Sequence, residues 1–302
     1  MYDIIIIGAG TAGISAYKEA VKHTQNLLII NDGPWDTTCA RVGCMPSKVL
    51  ISTANRVHEM HHLDGLGLSA QVNIDTSKVM QHVQQLRDRF TRATLKDVDA
   101  WKAEHKISGR AEFINTNTIQ VNEKQYQAKH FILAVGSTPT IDEKMKAELG
   151  TRLITSDQIF ELEQLPQALA VIGSGVIAIE LAQAMHRLGV KTDIFARSRK
   201  VGTLVSANMQ KLAQDELSKE LNLHFETLPT EYKKTSNGVE LKYQENDQQH
   251  LLNVDYVLLA TGRKSLLNTL KLENIDAQYQ DLKNLPVDPT TKQLSNHSIY
   301  IV

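Results

Sequence analysis

Cysteine is nearly absent: Cys39 and Cys44 are the only two in 302 residues. A chain this poor in sulfur does not use disulfides as structural staples, so a lone close pair points to thiol chemistry. Charge of one sign is lacking too. The 33 basic and 34 acidic residues leave a net charge of −1, with no long run of either. Neither nucleic acid nor an anionic membrane is therefore expected as the main partner. No apolar stretch approaches the ~20 residues that span a bilayer. Met1-Tyr2-Asp3 leads straight into four isoleucines, without the basic leader and h-region of a secretory signal. No low-complexity tract is present. These absences point to a reducing cytoplasm, where a disulfide is catalytic or regulatory. The length suggests about two domains.

Two Gly-rich turns stand out among what is present. The apolar run Ile4 to Ile7 precedes Gly8-Ala9-Gly10-Thr11-Ala12-Gly13, which reads as strand, turn and a helix through about residue 22, with a second strand at 27–30. In such a βαβ unit the first glycine makes the turn, the second admits a pyrophosphate to the backbone, and the third allows close helix–strand packing. The phosphates rest on the helix N-terminus. The pattern recurs at 169–172 followed by Gly173-Ser174-Gly175-Val176-Ile177-Ala178, with a helix to Leu188, Gly189 as its stop and a strand at 191–195. Each module later returns with an apolar run ending in glycine, at 131–137 (including Gly136 and Ser137) and at 256–263 (including Gly262). Hairpins are expected between, such as 239–243 with 251–254. The periodic Val79, Val83, Leu86 and Phe90 predict one long or two shorter helices between 75 and 105.

The ends of the second strands carry the ribose discrimination. The first module has Asn31 followed by Asp32. The second has Ala196 followed by Arg197, Ser198, Arg199 and Lys200. A neutral residue followed by arginines suits a 2′-phosphate, because guanidinium pairs with phosphate, so the second site leans toward NADP. Between Cys39 and Cys44, Gly43 permits a sharp turn. Pro46 suits the first turn of a following helix, which sets Cys44 at a helix N-terminus where the dipole favours the thiolate. His58, His61 and His62 could share one helical turn, but without thiol or carboxylate partners in motif spacing they read as solvated surface rather than metal ligands.

In these features the chain resembles the class I pyridine nucleotide–disulfide oxidoreductases, the group containing dihydrolipoamide dehydrogenase, glutathione reductase and mercuric reductase. The carrying residues are Gly8 to Gly13, the loop Thr38-Cys39-Ala40-Arg41-Val42-Gly43-Cys44 with Pro46-Ser47-Lys48, the second fingerprint running into Glu180, and Ala260-Thr261-Gly262-Arg263. The loop is closest to sequences called dihydrolipoamide dehydrogenase, although Arg41 replaces the usual Asn. The implied fold is α/β, with two Rossmann-like dinucleotide-binding domains for FAD and NAD(P), the second inserted in the first, and small antiparallel β-meanders. The implied division is 1–150 for FAD with the redox disulfide, 151–270 for NAD(P), and 271–302 as a return to the FAD and central region.

The resemblance also implies roles. Gly8, Gly10 and Gly13 would lie at the FAD pyrophosphate, Ala111 and Gly136 near the adenosine side. Thr38, Asn31, Asp32 and Ser137 join the FAD set, and Gly173, Gly175, Ala178, Arg197, Arg199 and Gly262 the NAD(P) set. Cys44 would face the flavin, Cys39 would exchange with substrate, and Lys48 would approach flavin N5 and pair with Glu180. Two electrons would move among nicotinamide, flavin and dithiol, with a lipoyl-type or other small dithiol as substrate. Two departures accompany this. Asn31 stands where the family usually has a ribose-binding glutamate. The chain also stops at Ile299-Tyr300-Ile301-Val302, before the family's Gly-Asp and its dimerisation domain with a His–Glu acid–base pair. It is therefore expected to be a fragment of a longer homodimeric enzyme. Two other readings compete: an NADPH-driven reductase of a disulfide or of mercuric ion, and a non-catalytic redox-sensing or interaction module.

Overall fold

The computed structural model describes residues 1–302, apart from the side chain of Asp64. The chain divides into two compact units. One comprises Met1–Arg41, Asp88–Thr138 and Lys264–Val302, the other Val42–Arg87 and Pro139–Arg263. The second is thus inserted in the first along the sequence.

The first unit is built on a seven-stranded sheet in the order Lys106–Ser108, Leu27–Asn31, Tyr2–Ile7, Lys124–Leu133, Thr118–Val121, Ala111–Asn115, with Ile299–Ile301 also paired to Lys124–Leu133. The ten-residue strand Lys124–Leu133 serves twice. Its first residues form an antiparallel meander with Thr118–Val121, and the rest pairs in parallel with Tyr2–Ile7 and Ile299–Ile301. The apolar run beginning at Phe131 marks only the parallel part. The meander half, with Lys124, Gln125 and Gln127 exposed, carries no such run. The strand also ends at Leu133, earlier than its apolar run, because Ala134 has to meet the first Gly-rich turn.

Continuous isoleucines suit the central strand because both of its faces are covered. Ile5 and Ile7 pack on one face with Phe113, Phe131 and Tyr279, and Ile6 on the other with Tyr17 and Leu27. Side chains alternate across a strand, so a sheet sandwiched on both faces needs apolar residues at every position. Each such burial stabilises by roughly 1.5–3 kcal/mol.

The second unit repeats the plan with five parallel strands, in the order Asn222–Phe225, Lys191–Ala196, Ala168–Ile172, Tyr256–Leu259, Leu153–Thr155. Leu169 and Val171 face one core and Ala170 and Ile172 the other. An antiparallel meander, Glu231–Lys234, Val239–Glu245 and Gln248–Val254, covers the second core. On the opposite face, Leu50 and Ala54 of the helix Cys44–Met60 and Met80 and Val83 of the helix Thr76–Asp99 join the first core. That last element resolves the stretch after residue 75 as one long helix. Among the described residues no helix is long and apolar enough to cross a membrane.

One ionisable group lies deep in this unit. The His224 side chain is 6 % exposed and stands 3.0 Å from both Asp193 and Glu245, stacked on Phe195. Burial pushes its pKa down, but hydrogen bonds to the two carboxylates outweigh burial and leave it raised. A raised folded-state pKa contributes stability that is present in full below the unfolded value of about 6.5 and is lost as pH rises through the folded value. His224→Gln should therefore lower the melting temperature more at pH 5.5 than at pH 9. An equal loss at both would mean that folding does not raise the His224 pKa.

Candidate functional site

The two Gly-rich turns are the same object built twice, down to individual hydrogen bonds. In the first, Gly8 N–H donates to Ile30 O at 2.7 Å and Ala134 N–H to Ile7 O at 2.7 Å. In the second, Gly173 N–H donates to Phe195 O at 2.9 Å and Ala260 N–H to Ile172 O at 2.9 Å. A Cβ on Gly8 would lie 2.2 Å from Ala134 O, and one on Gly173 would lie 2.4 Å from Ala260 O, with φ at +104° and +127°. Both positions are closed to any side chain. The third positions pack the helices down: a Cβ on Gly13 would meet Gly8 O at 1.8 Å, while Ala178 is fully buried.

The middle glycines differ in kind. Nothing lies within 4 Å of a Cβ on Gly10 or Gly175. Each sits directly before a helix, Thr11–Ala20 and Val176–Arg187, whose first N–H groups are unsatisfied and whose dipole is positive at that end. Open space over a helix N-terminus fits the pyrophosphate of a dinucleotide at both sites. Each turn also follows a strand, Tyr2–Ile7 or Ala168–Ile172, that pairs with the next strand of its module on one edge and with the returning strand on the other, the position at which open α/β sheets bind ligands.

The cysteines flank a break between two helices. Thr37, at φ +66°, accepts the Ala40 N–H on its Oγ1 and so starts the short helix Thr38–Val42, which carries half-buried Cys39. Arg41 Nε reaches buried Asp36 at 3.2 Å and holds that helix to the preceding loop. Gly43, at φ −120° and ψ −123°, interrupts the helical path. Cys44 then opens the helix Cys44–Met60, exposed, with Pro46 buried in the first turn. Both cysteines are thiols in this structure.

Lys48 lies one turn further along that helix, and its Nζ is 2.6 Å from Glu180 Oε1 across 132 residues of sequence. Two turns on, Arg187 Nη1 donates to Asn55 Oδ1 at 2.7 Å with the same offset, so the two helices run in the same direction in one register. Arg187 also grips Glu220 with Nε and Nη2, at 2.5 and 3.0 Å, and Gln183 donates to Glu220 at 2.8 Å. Burial pushes the Glu220 carboxyl up, but Arg187 and Gln183 prevail and hold it down. His58 Nδ1 is 3.7 Å from Glu220, so this histidine joins the clamp instead of standing free in solvent. Nothing in the spacing of Arg187 or Glu220 announces this network.

The remaining expected residues are placed as follows. Asn31 ends its strand with Oδ1 accepting the Ala9 N–H at 3.0 Å and Nδ2 donating to Gly33 O and Pro34 O at 2.8 and 3.0 Å. Asp32 is ion-paired with Arg110 at 2.6 Å. The methyl of Ala111 is buried in the core, so only its backbone is left for a ligand. Thr38 is exposed. Gly136 and Gly262 both have positive φ, +70° and +133°, and Ser137 opens the strand Ser137–Pro139. Arg197 and Arg199 are exposed at the end of Lys191–Ala196, Arg199 lying over the Phe225 ring at 5.1 Å with Glu226 at 4.0 Å.

A family model described as pyridine nucleotide-disulphide oxidoreductase matches residues 2–302. The chain is 31% identical over 303 residues to a mercuric reductase of Staphylococcus aureus, covering 99% of this chain and 55% of that protein. It is 28% identical over 308 residues to a dihydrolipoyl dehydrogenase of the same organism, covering 99% of this chain and 64% of that one. The HOCl-induced flavoprotein disulfide reductase RclA from Escherichia coli superposes with a TM-score of 0.74 at 18% identity, over 100% of this chain and 65% of its own. The chain spans between about half and two thirds of the length of these relatives.

Proposed function

Because the chain belongs to the pyridine nucleotide-disulphide oxidoreductase family, we propose that it carries the FAD site, the NAD(P) site and the reactive dithiol of a dithiol/disulfide oxidoreductase acting on a lipoyl-type dithiol. The observation that carries this is the Lys48–Glu180 pair, which fixes a cation one turn from Cys44 on the dithiol helix. The glycine cradle at Gly8, Gly10 and Gly13 would hold FAD in the unit that comprises residues 1–41, 88–138 and 264–302. Gly173, Gly175 and Ala178 would hold NAD(P) in 151–270, and 271–302 returns to the first domain. A homodimer is proposed for the enzyme.

Bound FAD would supply the two-electron carrier between nicotinamide and dithiol. The chain's own part is thiol exchange. A substrate thiolate attacks Cys39 Sγ of a Cys39–Cys44 disulfide, and Cys44 leaves as the thiolate. A second substrate thiolate then attacks the substrate sulfur of the mixed disulfide and releases Cys39. The substrate is oxidised to its disulfide and the cysteine pair is reduced by the same two electrons. The Lys48 ammonium, held by Glu180, supplies fixed positive charge one turn from Cys44 on the same helix.

A second reading, NADPH-driven reduction of a disulfide or of mercuric ion, is favoured by Ala196 with exposed Arg197 and Arg199, and by similarity to a mercuric reductase. Steady-state assays with lipoamide, dihydrolipoamide and Hg(II), each with both nicotinamides, separate the two. Turnover of the lipoyl pair that is lost in Cys39→Ser supports the first reading, and reduction confined to Hg(II) overturns it. Arg197→Ala should raise KM for NADPH about tenfold while sparing NADH, since a charge-assisted hydrogen bond contributes ~1.5–3 kcal/mol. An unchanged ratio would remove the arginines from the coenzyme site.

A further inference from the structure

The far end of the dithiol helix carries a pair of histidines that the thiol chemistry does not use. His58 lies in the last turn of Cys44–Met60, and His62 follows it by four residues, just past the helix end. Residues four apart share one face of a helix. The two imidazoles are accordingly neighbours, with ring centroids 4.2 Å apart and planes tilted by 43°. Each ring has its Nδ1 side occupied. His62 Nδ1 is 2.8 Å from His58 O, and since a carbonyl only accepts, that nitrogen carries the proton. The lone pair of His62 is therefore on Nε2. His58 Nδ1 faces the Glu220 carboxylate at 3.7 Å, and Arg187 and Gln183 hold that carboxylate in place. The same tautomer is favoured there, because a carboxylate attracts an N–H and repels a lone pair. Both histidines thus offer Nε2, one with a main-chain carbonyl and the other with a carboxylate behind it. Imidazoles on transition metals are oriented in this way, one nitrogen on the ion and the other donating to a carbonyl or carboxylate. An ion with bonds of about 2.0–2.1 Å holds two ligand nitrogens about 3.0–3.4 Å apart, which suits rings at this separation. All of these residues lie within the second unit. Sequence spacing gives the histidines no carboxylate, and folding brings one from residue 220.

We propose that His58 and His62 form a two-ligand surface site for a late first-row divalent ion, Ni(II), Cu(II) or Zn(II), with Glu220 orienting His58. Imidazole suits these ions, whereas Mg(II) prefers oxygen. Among the described residues no group of three or more His, Cys, Asp or Glu could hold a metal, so water completes the coordination. The site stands independently of the nucleotide and dithiol assignments.

The test is a calorimetric titration of Ni(II) onto the Cys39→Ser/Cys44→Ser protein, in which no thiol competes for the ion. One Ni(II) should bind per chain, and Mg(II) should not displace it. Adding His62→Ala should weaken Ni(II) binding about 100-fold, because the second imidazole binds at a high effective concentration. His62 is exposed, so the metal-free variant should melt close to its parent. His61→Ala, also exposed and next in sequence, should bind Ni(II) as the parent does. Glu220→Gln should weaken binding about tenfold, as loss of the partner behind a metal-bound imidazole does. No Ni(II) binding by the parent, or equal affinity in parent and His62→Ala, would overturn the site. A loss in His61→Ala as large as in His62→Ala would overturn the pairing of His58 with His62. Displacement by Mg(II) would overturn the imidazole assignment, and unchanged affinity in Glu220→Gln would overturn the orienting role.

Discussion

Replacing Cys44 with serine should reduce dithiol–disulfide turnover by at least ~1,000-fold, the scale seen when a covalent nucleophile is removed. The reason lies in the leaving group. Exchange proceeds only between thiolates and disulfide sulfurs, and a serine hydroxyl neither forms the disulfide nor leaves as a stabilised anion. Cys44 is exposed at the first position of Cys44–Met60, so the substitution removes the chemistry with little change in packing. Its melting temperature should stay within a degree or two of wild type, since exposed substitutions usually change stability by less than ~0.5 kcal/mol. Turnover persisting in the variant would mean that the thiol pair is not the reactive centre.

The glycines should separate into two classes with opposite signatures. Gly8→Ala and Gly13→Ala place a Cβ 2.2 and 1.8 Å from backbone oxygens, and Gly8 also has φ +104°. Backbone cannot yield as a side-chain tip can. Each should cost ~3 kcal/mol or more, a large share of the ~5–15 kcal/mol that holds a domain folded. Gly10→Ala meets nothing within 4 Å, so the protein should melt normally. Its added methyl occupies the space a pyrophosphate needs against the backbone. Dinucleotide affinity should fall about 10- to 100-fold, as when a charge-assisted hydrogen bond of ~1.5–3 kcal/mol is lost. Thermal unfolding and flavin titration read the two effects separately. A Gly10→Ala protein that binds FAD normally would mean that the open cradle is not a phosphate site.

Much of this was legible in the sequence because it rests on local patterns. Ile4 to Ile7 and Leu169 to Ile172 are apolar at every position since both sheet faces are covered, and the glycines follow from turn geometry. Pairing Lys48 with Glu180 came from family resemblance, and the structure brings the two side chains together at 2.6 Å. What stayed hidden depends on partners distant in sequence. The acceptor role of Glu220 is created by Arg187 and Gln183, and its contact with His58 links segments that share no spacing rule. The internal use of Asn31 was hidden because its amide binds the main chain of residues 9, 33 and 34, and a main-chain group has no sequence signature.

The proposed flavin–thiolate couple at Cys44 is tested most directly by an anaerobic titration of FAD-reconstituted protein with NADPH and then NADH, following the visible spectrum. A long-wavelength charge-transfer band should grow as two electrons enter and be missing from Cys44→Ser, with NADPH the more effective donor. A flavin that bleaches without that band, or a protein that retains no FAD, would contradict a coupled flavin and dithiol in this chain.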